Sequence, residues 1–254
     1  MKSKAILFGI NYVNTPQARL RGCVNDVKNV AKYLTKEEKY DVVKVYSDEA
    51  DETKTRGQSI VNSMYKLAID SHRYRLERVW IHFSGHGTHV RDSYGYRDES
   101  DGNDECIVPS DYNRCGVIRD DTIKRILRMF NPTTKVTCVF DCCHSGTIGD
   151  LKYVYKKIDR TPEIENNGSK CMANICLISG CTDSQTSADA FNVQGKRQYT
   201  GAMTSCLLEV LKNESDKSIF NVLESLRDLL RQKRFPQYPL LSSSFEVPQN
   251  YVLK

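Results

Sequence analysis

Five short runs of β-branched and apolar residues, at 4–10, 41–47, 78–84, 135–140 and 174–179, recur through the chain with polar or amphipathic stretches between them. That alternation constrains the fold more than any other feature. Runs of six or seven residues with little polar interruption read as strands buried on both faces. Between them, 23–36, 54–72 and 120–130 space their apolar residues at three and four, the period of a helix, with Asp120 or Asp121 suited to an N-cap and Asn131-Pro132 marking a stop. Further helices are expected at 201–212 and 217–233, followed by an extended tail from Pro236. Strands alternating with helices predict an α/β protein with a mainly parallel central sheet flanked by helices on both faces. Sheets of this kind place ligand sites beyond the carboxyl ends of their strands.

Composition narrows the class. A length of 254 residues fits one large α/β domain, and 37 basic against 32 acidic residues leave a formal charge of +5 that is spread rather than striped, so no nucleic-acid partner is expected. No run approaches the ~18 apolar residues of a membrane helix, and the apolar stretch in MKSKAILFGINY is too short for a secretory leader, so no membrane partner and a cytoplasmic location are expected. The ten cysteines follow no framework spacing and read as reduced thiols. Polar stretches fall at 152–173 and 182–199. The first divides a single domain, 1–254, into a larger part (about 1–151), a mobile connector (152–173) and a smaller part (174–254).

Two strand ends carry chemistry: Val79-Trp-Ile-His-Phe-Ser-Gly-His86-Gly87 and Val136-Thr-Cys-Val-Phe-Asp141-Cys142-Cys143-His144-Ser145-Gly146. If these strands are parallel neighbours, His86 and a cysteine of the second motif share one crevice, where an imidazole takes the thiol's proton. A free thiol, with a pKa of ~8.5, is mostly protonated at neutral pH, and a neighbouring imidazolium lowers that value by several units. The amides of Gly87 and of the nucleophilic cysteine are then candidates for an oxyanion hole, each donor worth on the order of 3 kcal/mol in the transition state.

The segments His82-Phe-Ser-Gly-His86-Gly87 and Asp141-Cys-Cys143-His-Ser-Gly resemble the histidine and cysteine motifs of metacaspases, caspase-like cysteine peptidases of clan CD. Gly22-Cys-Val-Asn-Asp26, Asp104-Glu-Cys-Ile-Val-Pro-Ser-Asp111, Ile118-Arg-Asp-Asp121 and Ile178-Ser-Gly-Cys181, with Asp183 and Gln185 after it, extend the likeness over nearly the whole chain. The arrangement is similar to type I members without a prodomain. The resemblance implies the caspase-hemoglobinase fold, His86 as base and Cys143 as nucleophile. Alternation along a strand agrees, since only one of two successive thiols can face His86, which leaves Cys142 to packing and His144 to a structural role.

The resemblance also places Cys23, Asp26, Ser84 and Asp141 in the S1 pocket. Two carboxylates there would favour Arg or Lys in a protein or peptide substrate, Arg best through bidentate contacts, and would reject Asp. Family calcium ligands fall on Asp104, Asp120, Asp121 and Asp150, within an acidic stretch whose hard oxygens suit Ca²⁺ as an activator. Lys156, Lys157, Arg160 and Lys170 in the connector, and Lys196 and Arg197 in the second polar loop, are candidate self-cleavage sites. A monomer is expected. Two rival readings are a catalytically silent module that grips basic peptides, and a zinc or redox site made from His86, Cys142, Cys143 and His144. Adjacent cysteines are poor zinc ligands, and the intact dyad argues against the silent module.

Overall fold

The computed structural model describes residues 1–91, 103–142, 148–157, 160–164, 171–180, 189–191 and 199–253. Its elements in chain order begin with β1 (Ser3–Gly9), α1 (Cys23–Lys36), β2 (Val42–Ser47), α2 (Asp48–Asp51), α3 (Gly57–Arg73) and β3 (Arg78–Ser84). A small antiparallel unit follows: β4 (Gly87–Arg91), β5 (Asn103–Ile107), the turn helix α4 (Tyr112–Cys115) and β6 (Ile118–Arg119). Then come α5 (Asp120–Leu127), β7 (Lys135–Asp141), β8 (Tyr153–Tyr155), β9 (Glu163–Ile164) and β10 (Asn174–Ser179). The chain closes with the β11 (Asp189–Phe191) and β12 (Tyr199–Gly201) pair, α6 (Ala202–Asn213), α7 (Ile219–Gln232) and β13 (Leu240–Ser243).

Eight strands form the main sheet in the order β2-β1-β3-β7-β10-β13-β8-β9. The first five run parallel. The last three are antiparallel to their neighbours. All five apolar runs are therefore strands, and they form the parallel block. Part of the connector is not loose linker: β8 and β9 extend the sheet past β13, although three- and two-residue strands are too short to show a period. At the start of α5 the N-cap position is Arg119, and Asp120 and Asp121 lie in the first turn instead.

Over β1, β3, β7 and β10 both sheet faces are packed and side chains alternate between them, whereas the edge strand β2 leaves Lys44 and Val45 exposed. Ala5 and Leu7 of β1, Trp80 of β3, Val139 of β7 and Cys176 and Ile178 of β10 pack with α1, α6 and α7. Their alternates Ile6 and Phe8, Val79, Ile81 and Phe83, Cys138 and Phe140, and Ile175 and Leu177 pack with α3 and α5. Double burial removes the polar half of the strand period, which is why the runs look uniformly apolar in sequence. It also assigns faces at the functional end. Ser84 and Asp141, in phase with Trp80 and Val139, face α1 and α6.

Candidate active site

The β3 and β7 motifs leave adjacent parallel strands in matched register, with Ser84 opposite Asp141. His86 stands two residues beyond the first, and Cys143 two residues beyond the second in sequence. Cys143 and His144 lie outside the described residues. Cys142 is completely buried in the α3 and α5 side of the core, in keeping with packing.

His86 is held from three sides. Its Nε2 lies 2.7 Å from the Ala18 carbonyl, at the end of a 3-10 turn, Pro16–Ala18. A carbonyl only accepts, so Nε2 carries the proton and Nδ1 is the basic nitrogen. The Tyr12 ring packs on the imidazole with centroids 4.7 Å apart. The Tyr12 hydroxyl accepts from the His86 amide at 2.8 Å and donates to the Val108 carbonyl at 2.8 Å. Burial drives the Tyr12 hydroxyl well above its usual range, so it remains a donor. The Val108 amide in turn donates to the His86 carbonyl at 3.0 Å. That bond makes Gly87 and Ile107 a non-hydrogen-bonded pair of the β4–β5 ladder, so the Gly87 amide points away from β5. An amide so oriented suits an oxyanion donor.

Asp26 and Asp141 come together at the N-terminus of α6, in the lining expected of S1. Asp26 is 1% exposed; its Oδ2 accepts from Ser84 Oγ at 2.7 Å, and its two oxygens accept from the Gly201 amide at 2.9 and 3.0 Å. Asp141 is 2% exposed; its Oδ2 accepts from the Thr204 amide at 2.9 Å and the Thr204 hydroxyl at 2.7 Å, with Gln237 Nε2 3.4 Å from Oδ1. Gly201 separates them closely. A Cβ there would stand 2.4 Å from Asp141 Oδ2 and 2.6 Å from Asp26 Oδ2. These donors are the N-cap and N3 amides of α6, so the positive end of a helix dipole faces both acids. Cys23 is nearly buried beside them, its amide donating to Asn11 Oδ1 at 3.1 Å.

A second acidic group lies where β5, β6 and α5 meet. Asp120 is 2% exposed and accepts from the amides of Glu105 and Asp121, both at 2.7 Å. Burial, and then the charge of Asp150, push its carboxyl up to about 7, with Asp104 adding to the rise. Asp104 pairs with Arg119 at 2.6 Å, and Asp150 with Lys124 at 2.9 Å. Asp121 is exposed. Among the described residues, no three carboxylate, histidine or cysteine groups converge as a metal cage.

The self-cleavage candidates differ from one another. Lys156 is half-buried and Lys157 exposed; they lie 3.4 and 3.7 Å from Glu163, and the Lys156 carbonyl accepts from the Tyr238 hydroxyl at 3.2 Å. Arg160, in a left-handed backbone conformation with φ +61°, is clamped. Its guanidinium donates to both oxygens of Glu224 at 2.9 and 3.2 Å, to Asn221 Oδ1 at 2.9 Å and to Gln249 Oε1 at 3.0 Å, above the Phe220 ring. Lys170, Lys196 and Arg197 lie outside the described residues.

The contributions of Ala18, Tyr12, Gly201 and Thr204 were not legible in the motifs. A backbone carbonyl leaves no residue-type signature, and Thr204 is 63 positions from the carboxylate it binds. Only Gly201, standing before an apolar helical stretch, offered a cue, since glycine is a fair N-cap.

Comparison with known proteins places this geometry. Residues 3–152 match the family model described as the metacaspase, peptidase C14 domain. The chain is 37% identical to Metacaspase-3 of Trypanosoma brucei brucei over 95% of its length and 71% of that protein. It is 34% identical to Metacaspase-1 of Yarrowia lipolytica over 98% of its length and 63% of that protein. Among solved structures, a protein from Geobacter sulfurreducens aligns over the whole of both chains with a TM-score of 0.66 and 23% identity. Caspase-1 from Spodoptera frugiperda aligns over 96% of this chain and 86% of its own, with a TM-score of 0.62 and 11% identity, a likeness of fold alone. With the caspase fold and both motif-bearing strands side by side, the chain belongs to the metacaspases, cysteine peptidases of the C14 family.

Proposed function

We propose that this peptidase cleaves after Arg or Lys through a Cys143–His86 dyad. The observation that carries the reading is the pair of buried carboxylates, Asp26 and Asp141, meeting at Gly201 beside the ends of β3 and β7. Ser84 Oγ and the Gly201 amide donate to the first and the Thr204 amide and hydroxyl to the second, and we read the two acids together as the anionic recognition group for a cationic side chain. A guanidinium answers both acids at once, whereas an aspartate side chain would meet like charge.

The chemistry follows from the histidine's tautomer. With Nε2–H given to Ala18, Nδ1 takes the Cys143 proton, and the thiolate attacks the scissile carbonyl. The C–N bond breaks as the imidazolium returns that proton to the leaving amine, which leaves a thioacyl-enzyme. Water, deprotonated by the same nitrogen, then releases the acid and restores the thiol. The Gly87 amide, with that of Cys143, would stabilise the oxyanion. Fluorogenic peptides differing only at P1 (Arg, Lys, citrulline, Asp) test the reading, with Cys143→Ala as control. Turnover of Arg and Lys but not Asp is expected; equal turnover of citrulline would reject the charged pocket.

Calcium is assigned as an activator that would bind only on rearrangement, because among the described residues the candidate carboxylates do not converge as a cage. Asp104, Asp120, Asp121 and Asp150 would supply hard oxygen donors, and burial with the charge of Asp150 raises the Asp120 carboxyl to about 7, a cost that a divalent cation would relieve. Such an ion would supply the positive charge now provided by Lys124 and Arg119. Self-cleavage is assigned to Lys157, exposed and 3.7 Å from Glu163, or to its neighbour Lys156, ahead of Arg160 with its four hydrogen bonds. Mass analysis of wild type against Cys143→Ala tests this, and identical fragments from both would discard it. A monomer in a reducing compartment suits the short edge strand β9 and the free thiols at all eight described cysteines. Among the described residues, no helix is long and apolar enough to cross a membrane.

A further inference from the structure

Behind Asp141 lies a polar residue that the chemistry above does not use. His82, on β3 two residues before Ser84, is fully buried on the face shared with α1 and α6. Its Nε2 is 3.4 Å from the Thr204 hydroxyl, and among the described residues its Nδ1 has no hydrogen-bond partner. A buried ring of this kind would sit more comfortably as an apolar side chain, because an unpartnered polar atom away from water is costly.

Proton bookkeeping explains the contact. Thr204 has one hydroxyl proton, and it goes to Asp141 Oδ2, since a carboxylate can only accept. The Thr204 oxygen must therefore accept from His82, which fixes the proton on Nε2 and leaves Nδ1 bare. Burial lowers the imidazole's pKa to about 3, so His82 is a neutral donor throughout the working pH range. The chain of donation runs one way, from His82 through Thr204 to Asp141.

We propose that Thr204 and His82 are positioning residues for P1 selectivity: Thr204 orients the Asp141 carboxylate toward the substrate cation, and His82 polarises and orients the Thr204 hydroxyl. The proposal rests on the assignment of Asp141 to S1. Without the Thr204 hydroxyl, Asp141 Oδ2 loses the shorter of its two bonds from Thr204, and the hold on the carboxylate's orientation toward Asp26 is loosened. Rigid placement of a recognition group by residues behind it is a general requirement for selectivity.

The test uses Thr204→Val, Thr204→Ser and His82→Leu in the full chain, with paired Arg and citrulline peptides. In Thr204→Val the Arg-to-citrulline ratio of kcat/KM is expected to fall about tenfold, chiefly through KM for Arg, as for loss of a hydrogen bond to a charged group. Thr204→Ser should restore the ratio. His82→Leu should lower it about threefold while the melting temperature holds or rises, because the orphaned Nδ1 is removed. Selectivity lost together with thermal stability is what a merely structural histidine would produce, and it overturns the proposal. So does an unchanged ratio in both Thr204→Val and His82→Leu. If Thr204→Val does not fold, His82→Leu carries the test alone. A wild-type enzyme that fails to distinguish Arg from citrulline instead removes the S1 reading itself.

Discussion

Two buried acidic groups serve this molecule, and they are held by opposite means. Asp26 and Asp141 accept from dipolar donors that include the Gly201 and Thr204 amides and the hydroxyls of Ser84 and Thr204. Asp104 and Asp150, flanking Asp120, each have a basic side chain of the same chain as partner. Dipoles stabilise a carboxylate without cancelling its charge, so donors of this kind leave the first group able to answer an incoming cation. An internal Lys or Arg neutralises as well as stabilises, so a cation arriving at the second group must displace one. The first arrangement suits a receptor for a substrate side chain, and the second suits a site that is occupied by rearrangement.

The sharpest way to break this contrast is at Gly201. Alanine there puts a methyl inside contact distance of both Asp26 and Asp141, and on the proposed S1 assignment kcat/KM for an Arg peptide is expected to fall roughly 100-fold or more. Activity within a few-fold of wild type would show that the two acids do not act together. Asp26→Asn is next: removing one of the two charges should cost on the order of 30-fold for Arg peptides and little for citrulline peptides, whereas Asp104→Asn assayed with chelator should spare both.

Third is a pH effect confined to the second group. Because the folded-state pKa of Asp120 is raised, the protein binds that proton more tightly than the unfolded chain does. Stability from this residue is therefore present at low pH and is lost as pH rises from about 4 through about 7, by on the order of 4 kcal/mol. Thermal melts across that window should slope downward. Asp120→Asn should flatten the slope, and calcium should raise the melting temperature more at pH 7.5 than at pH 5. A calcium effect of equal size in Asp120→Asn would remove Asp120 from the ligand set. The smallest effect concerns Lys124→Met. With the competing ammonium gone, calcium should be needed at about threefold lower concentration for the same stabilisation, read from a melting titration.

How much was legible in sequence follows the same physics. Helix α1 occupies the residues its apolar spacing marked, and the five parallel strands fall within a residue or two of the apolar runs. Long buried elements write themselves in composition because both of their faces are apolar. The β4–β5–β6 unit and the β8 and β9 extensions were missed for the converse reason: strands of two to five residues, with aromatic, charged and glycine positions interleaved, carry too few turns of any period. At the site, the side chains that bear charge were readable from type and spacing. Those that orient them were not, because Ala18 acts through its backbone, and Thr204 and His82 act across the sheet from distant points in the chain.

The grip on Arg160 bears on what a nick in this chain would look like. A cut after Lys156 or Lys157 would leave β8 on one fragment and β9, β13 and α7 on the other, yet β8 is laddered between β13 and β9. The new N-terminal end would stay tethered by the Arg160 fork on Glu224. Two bands on a denaturing gel would then correspond to one particle on a sizing column, and severing the backbone would change the freedom of a loop rather than release a subunit.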